Sequence, residues 1–315
     1  MMFSVLGAGV AGLCAATALA ERGCRVEVID PDPAPTGASW YAGGMLAPFC
    51  EGEAAPDGIV TRGQAARDWW AARVPGVLQQ GTLVVAPPRD RVELDRFACA
   101  TRGHDRVVPG EIEPDLGGRF AVGLHFAQEA HLDPRAACSA LIARLRGMGV
   151  ELHFGAQRRP RGQIVDCRGW AARADLPGLR AVRGEMLMIE TREVALSRPV
   201  RLLHPRFPCY VVPRGDGRFM VGATMIESED DGPITARTVM ELLSAAYTVH
   251  PAFGEARLIE TGAGLRPAFA DNVPAVVARG DRIHVNGLYR HGFLMGPALA
   301  EELAAMVFQE QRHAG

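Results

Sequence analysis

Apolar positions along the chain alternate between a strand rhythm and a helix rhythm. Residues 3–6, Phe-Ser-Val-Leu, read as a buried strand, a glycine-rich turn follows, and the run from residue 10 through Arg22 has helical spacing. CRVEVI restores the strand pattern and ends on Asp30. Beyond a proline-rich connection, residues 58–73 predict a helix carrying Trp69 and Trp70, and residues 82–86 and 120–126 predict strands. Asp133-Pro134 opens a helix, because the aspartate can cap it and the proline fits its first turn. RAACSALIARLRGMGVELHFG carries that helix into another strand, and GQIVDCRGWAAR predicts a further buried strand ending at Gly169. From Gly184 to about residue 257, segments such as YVVPR and RFMVGATM predict an antiparallel layer with a helix over 235–247. RIHVNGLY is a strand entering a glycine turn, and the final helix is expected from Gly296-Pro297. No internal repeat or low-complexity tract interrupts this order. The expected class is α/β: a Rossmann-like dinucleotide-binding domain from residues 1–75, 131–184 and 263–315. An α+β substrate domain with an antiparallel sheet, from residues 76–130 and 185–262, is inserted into it.

Composition narrows the function. The chain has 315 residues, and its net charge of -2 supplies no basic excess to neutralise phosphates, which argues against a general nucleic-acid binder. The seven cysteines are scattered without a CxxC pair, so reduced thiols used in packing, in a cytoplasmic protein, are the expectation, and no metal site is expected. The apolar start lacks a cationic leader and carries three functional glycines, so it is read as structure rather than a targeting segment. No apolar run is long enough for a membrane span. All 34 basic residues are arginine; without lysine, pyridoxal-phosphate chemistry anchored through a Schiff base is excluded.

The sharpest local signal is GAGVAG at residues 7–12. Gly7 allows the tight turn, Gly9 lets a pyrophosphate approach the backbone, and Gly12 lets helix pack on strand. The helix then offers free N–H groups and its positive dipole end to phosphates. Asp30 is placed to accept hydrogen bonds from an adenosine ribose and would repel a 2′-phosphate, which disfavours NADP. The unit serves NAD and FAD alike. TGASWYAGGMLAPFCEGE, residues 36–53, departs from a simple NAD domain: Gly43-Gly44 could bring backbone N–H groups to a flat ring, or the segment could be a flexible surface loop.

The discontinuous layout, together with GASWYAGGMLAP, YVVPRGDGRFMVGATM, GAGLRPAFADNVP and NGLYRHGFLMGPALA, resembles the FAD-dependent D-amino-acid oxidase superfamily over nearly the whole chain. Within it the chain is most similar to the ThiO-type glycine oxidases of thiamine biosynthesis. The resemblance implies an FAD-binding domain of the GR2 type. It implies cofactor contacts from Gly7, Gly9, Val10, Ala11, Gly12 and Asp30 at the dinucleotide end, from Ala42, Gly43, Gly44 and Met45 along the ring, and from Ser39 and Gly169. Arg290 and His291 would also contact it, and Gly292, Phe293, Leu294 and Met295 would meet the flavin's pyrimidine edge. It further implies that Tyr210 and Arg266 hold the substrate carboxylate, that Met225 walls the site from the same face of a hairpin as Tyr210, and that Arg290 lies near flavin and substrate. The residue types suit those roles, because a guanidinium gives a planar carboxylate two charge-assisted hydrogen bonds and a tyrosine hydroxyl adds a third. His291 is read either as a group titrating near neutrality or as a structural hydrogen-bonder.

Related sarcosine oxidases link flavin through a cysteine where this chain has Gly264, so the FAD is expected to be non-covalent. They also use a lysine over the flavin in oxygen reduction; here Arg290, protonated His291 or the product imine would have to supply that charge. Pro208 stands where some relatives have a polar active-site side chain, His204 is read as structural, and the arginines of RPVRLLHPR are candidates to line the substrate approach or a subunit contact. The region between Glu53 and Arg119 is short for such an enzyme. The expected function is oxidation of glycine, or another small primary or secondary amino acid, to the imine, with oxygen reduced to hydrogen peroxide, in a protein that could be a homo-oligomer. Two alternatives share the fold: a dehydrogenase passing electrons to a quinone or partner protein, and a non-catalytic flavin-binding subunit.

Overall fold

The computed structural model describes residues 1–33, 36–155, 157–203 and 209–314. His204 and Pro208 lie outside the described residues. A six-stranded sheet runs in the order Ala275–Arg279, Arg282–Asn286, Gln163–Asp166, Met2–Leu6, Arg25–Asp30, Glu151–Phe154; its strands are parallel except for the edge strand Ala275–Arg279. The central strand is followed by Gly7 and then helix Val10–Glu21, which packs on helices Pro134–Gly147 and Gly292–Ala314. Phe3, Val5, Leu13 and Leu19 anchor this core, each no more than 1% exposed. Strand order reverses on either side of Met2–Leu6, and a crevice for a ligand opens at the carboxyl ends of strands at such a switch point.

The second sheet has nine strands and is mixed rather than purely antiparallel, because Val200–Leu202 runs parallel to Thr82–Val85. Helix Ala236–Val249 and the 3₁₀ turn Pro251–Glu255 cover one face, with Leu242, Ala246 and Phe253 in one buried cluster with Leu187, Val211 and Val221. Two long strands, Arg180–Glu190 and Arg257–Ala268, pair along their whole lengths. They run through positions 184 and 262, where the sequence pattern divides the units.

Local expectations hold where a cap or a turn dictates them. Asp133 accepts the N–H groups of Arg135 and Ala136 at 2.8 and 3.0 Å, and Thr235 accepts that of Thr238 at 3.3 Å, starting their helices where expected. Several boundaries differ. Residues 58–73 form two short helices, Asp57–Gly63 and Ala66–Ala71; the strand expected over 120–126 covers only Gly123–Phe126; the strand expected to reach Gly169 stops at Asp166, before a turn of 3₁₀ helix at Gly169–Ala172. Helix Arg91–Ala100 has no counterpart in the pattern reading. The final helix starts at Gly292, not Gly296, with Pro297 inside it. Proline there lacks the N–H that would reach the carbonyl of Phe293, and the indole of Trp70 donates to that oxygen instead at 2.8 Å.

Candidate active site

A cavity of about 510 Å³ runs from Asp30 and the glycine turn, past Gly43 and Gly44, to Tyr210, Arg266 and Arg290. At its first end the lining is mostly backbone. Gly7 has φ +97°, and a Cβ on it would stand 2.7 Å from the Cys167 carbonyl oxygen; one on Gly12 would stand 1.9 Å from the oxygen of Gly7. These two glycines are therefore obligatory for the turn and for the helix lying on it. The helix starts without a side-chain cap of its own, and the N–H groups of Ala8 and Val10 donate to Asp30 Oδ2 at 2.6 Å and Ser39 Oγ at 3.0 Å.

The middle of the cavity is a pinned loop, not a flexible one. Arg214, 5% exposed, donates to the carbonyls of Ala42, Gly43 and Leu132 at 3.2, 2.8 and 3.3 Å, and burial lowers its pKa to about 10. Arg135 donates to the carbonyl of Trp40, lies over its ring, and makes a bidentate pair with Glu260 at 2.6 and 2.9 Å. Gly44, at φ +68°, has no room for a side chain, since a Cβ would meet Leu132 O at 2.2 Å. On the facing strand, Cβ atoms on Gly262 and Gly264 would meet Tyr41 at 2.2 Å and the Cα of Ala38 at 2.9 Å. The segment thus lies directly against backbone.

The far end is built from charged side chains. Arg266 donates to the carbonyl of Thr224 at 2.9 Å and has no carboxylate partner among the described residues; Gly184 leaves space for its guanidinium. Burial lowers its pKa to about 10, so it remains cationic at neutral pH. Arg290 projects from a turn in which Tyr289 takes φ 49°, and it pairs with Glu51 at 2.7 Å. Tyr210 donates to Glu51 Oε1 at 3.2 Å. Burial raises the Tyr210 pKa, keeping the phenol a donor. Behind them Arg201, 2% exposed, pairs with Glu53 at 2.6 Å and stacks between Phe97 and Tyr210. Burial pushes against ionisation of Glu51, but Arg290, Arg201 and Tyr210 together hold its carboxyl below the ordinary value. Glu129, 0% exposed, accepts the N–H of Cys50 at 2.7 Å, and burial raises its pKa to about 8.

All of the site residues expected from the sequence line this cavity except Gly12 and Met295. Gly12 acts beneath the turn, and Met295 is 0% exposed in the core, because the helix begins one turn earlier than expected and points that side chain inward. Met225 arrives by a different route from the one expected. Gly222, not Met225, sits opposite Tyr210, and the Met225 sulfur accepts the Tyr289 hydroxyl at 3.3 Å from a loop beyond the strand. His291 is 3% exposed and burial pushes its pKa down to about 4, which leaves it neutral near pH 7 rather than a titrating or cationic group. Arg198 and Arg201 pair with Glu113 and Glu53, and the third arginine of that stretch, Arg206, lies outside the described residues. Glu51 and Arg214 escape the sequence reading; each is an ordinary charged residue in sequence, and only the approach of distant segments gives it a role. All seven cysteines are free thiols, and no helix among the described residues is long and apolar enough to cross a membrane.

Comparison with known proteins adds an independent line. The family described as FAD dependent oxidoreductase matches residues 3–306. A Rhizobium etli protein named as a candidate thiamine biosynthesis oxidoreductase, ThiO, is 56% identical over 99% of this chain and 98% of its own length. A glycine oxidase of Pseudomonas aeruginosa is 26% identical over 96% of this chain and 93% of its own. Among solved structures, glycine oxidase from Geobacillus kaustophilus superposes with a TM-score of 0.82, at 22% identity, over 98% of this chain and 94% of that one.

Proposed function

The chain belongs to the family of FAD-dependent oxidoreductases, and from that premise we propose that it oxidises glycine, or another small primary or secondary amino acid, to the imine. In this reading oxygen takes the two electrons and two protons as hydrogen peroxide, and the imine serves formation of the thiazole of thiamine, the pathway for which the Rhizobium etli relative is named. The observation that carries it is Arg266: a guanidinium inside the cavity, held by one backbone carbonyl and otherwise free to grip a carboxylate.

The residues present fit FAD. The uncapped helix start and the turn around Gly9 suit a pyrophosphate, Asp30 suits a ribose, and the Ala42–Gly44 backbone, clasped by Arg214, offers a fixed edge to a flat ring. Non-covalent binding is supported by Gly264, the position of the linking cysteine in sarcosine oxidases, where no side chain has room. FAD, when bound, supplies the two-electron acceptor. Arg266 fixes the substrate's carboxylate and thereby its α-carbon, beside a Tyr210 hydroxyl whose proton is given to Glu51. Arg290 keeps its charge, because Glu51 together with Tyr210 and Tyr289 outweighs the effect of burial, and it is a cation this end of the cavity offers to reduced oxygen in place of a lysine. Tyr289 and Arg290 donate to the Met225 sulfur at 3.3 and 3.8 Å, and all three residues line the cavity. Oxygen consumption with glycine, matched by peroxide, tests the proposal; flavin that glycine reduces but that yields no peroxide in air would favour the dehydrogenase alternative.

A further inference from the structure

Three arginines meet at the substrate end, and two are already neutralised. Arg201 pairs with Glu53 and Arg290 with Glu51, whereas Arg266 meets no carboxylate among the described residues. Glu51 also takes the Tyr210 hydroxyl on its other oxygen. The two groups best suited to a second anion, Arg290 and Tyr210, are thus occupied by a carboxylate of the chain itself.

We propose that Glu51 is a charge gate: it limits this site to amino acids with a single carboxylate, bound at Arg266, and excludes those with a second acidic group on the side chain or nitrogen. The inference rests on the reading of Arg266 as the carboxylate anchor. A zwitterion brings one negative group for Arg266 and one positive nitrogen for Glu51, so charge is matched at both. The Glu51–Arg290 contact, 2.7 Å between charged atoms, is not an aligned hydrogen bond: among the described residues Glu51 Oε2 accepts none and Arg290 Nε donates none. Glu51 lines the same cavity as Arg266, so its charge acts on a ligand held there. A second carboxylate would have to evict Glu51 from Arg290, stranding a charge that is 12% exposed, or lie unpaired beside it. Eviction is opposed by the anchoring of the Glu51 backbone, since the preceding Cys50 N–H is held by buried Glu129. Asp231, from a loop on the same cavity, adds a further negative group, and neutral His291 adds no compensating cation.

The test uses the flavin-loaded protein and reads binding, not turnover. Acetate and malonate are titrated while the visible flavin spectrum is followed, in the native chain and in Glu51→Gln. The native protein should bind acetate at least about tenfold tighter than malonate, and Glu51→Gln, by freeing Arg290, should shift that ratio towards malonate by about tenfold or more, or 1.4 kcal/mol. An unchanged ratio in Glu51→Gln overturns the gate. Should that variant lose flavin or fail to fold, Glu51→Ala carries the same prediction, and native protein that binds malonate as tightly as acetate overturns the gate without any variant. Sarcosine and iminodiacetate, one differing from the other by a carboxylate, should show the same order in anaerobic flavin reduction. The outcomes separate the two readings: flavin that glycine cannot reduce, with the acetate preference intact, overturns the oxidase reading alone, whereas reduction by glycine with an unchanged ratio overturns the gate alone.

Discussion

At the end of the cavity near Gly7 and Asp30 the lining is mostly backbone, and the shape of its turn is enforced by glycines that no other residue can replace. At the end near Arg266 and Glu51 the lining is charged side chains from widely separated segments, and its shape is enforced by their pairing. The first end is a steric device and should fail abruptly; the second is an electrostatic one and should fail by degrees, with changes in substrate affinity and selectivity before changes in fold.

The harshest way to break the comparison is Gly12→Val. Its Cβ would stand 1.9 Å from a backbone oxygen that cannot yield, so the variant should lose about 3 kcal/mol or more and purify without FAD, as melting temperature and the ratio of visible to ultraviolet absorbance would show. Arg266→Met should instead keep its FAD and its melting temperature while kcat/KM for glycine falls by about 2–5 kcal/mol, or roughly 30- to 5,000-fold, in steady-state assays. Normal activity in that variant would remove Arg266 as the anchor.

A subtler distinction lies in pH. Glu129 has its pKa raised from 4.5 to about 8 by burial, so the folded chain holds the proton more tightly than the unfolded one. The associated stability is present in full below pH 4.5 and is lost progressively as pH rises to about 8. Glu129→Gln keeps the acceptor for Cys50 and has nothing to titrate. Its melting temperature should therefore match the native chain near pH 4.5 and exceed it increasingly towards pH 8; a constant difference would contradict the assignment. The smallest effect is expected for Asp30→Ala. Losing a carboxylate that braces Ala8 should weaken FAD binding by about tenfold, measured by equilibrium dialysis, without altering KM for glycine.

The same contrast explains what could be read from the sequence. Gly7, Gly9, Gly12 and Asp30 are legible because what they do is local. Strand, turn, helix and strand follow one another, and each glycine has one steric reason to be there. Asp133 is legible for the same reason, as a cap read within four residues. Arg266, Tyr210 and Arg290 emerge only through resemblance, and Glu51 not at all. Whether an acidic residue after a short apolar run faces solvent or a cavity depends on where strands far along the chain deliver Arg201 and Arg290. The early start of the last helix is hidden because Pro297 looks like a beginning; only the Trp70 indole, from a remote helix, satisfies the carbonyl that makes an interior proline tolerable.

One cavity, on this account, holds a flavin at its glycine end and delivers a small amino acid to it from its arginine end. The most direct measurement is the visible spectrum of the purified protein under anaerobic conditions as glycine is added. A flavin band that bleaches saturably with glycine is the predicted result. A flavin-loaded protein whose spectrum is unmoved by glycine, sarcosine and D-amino acids would contradict the account.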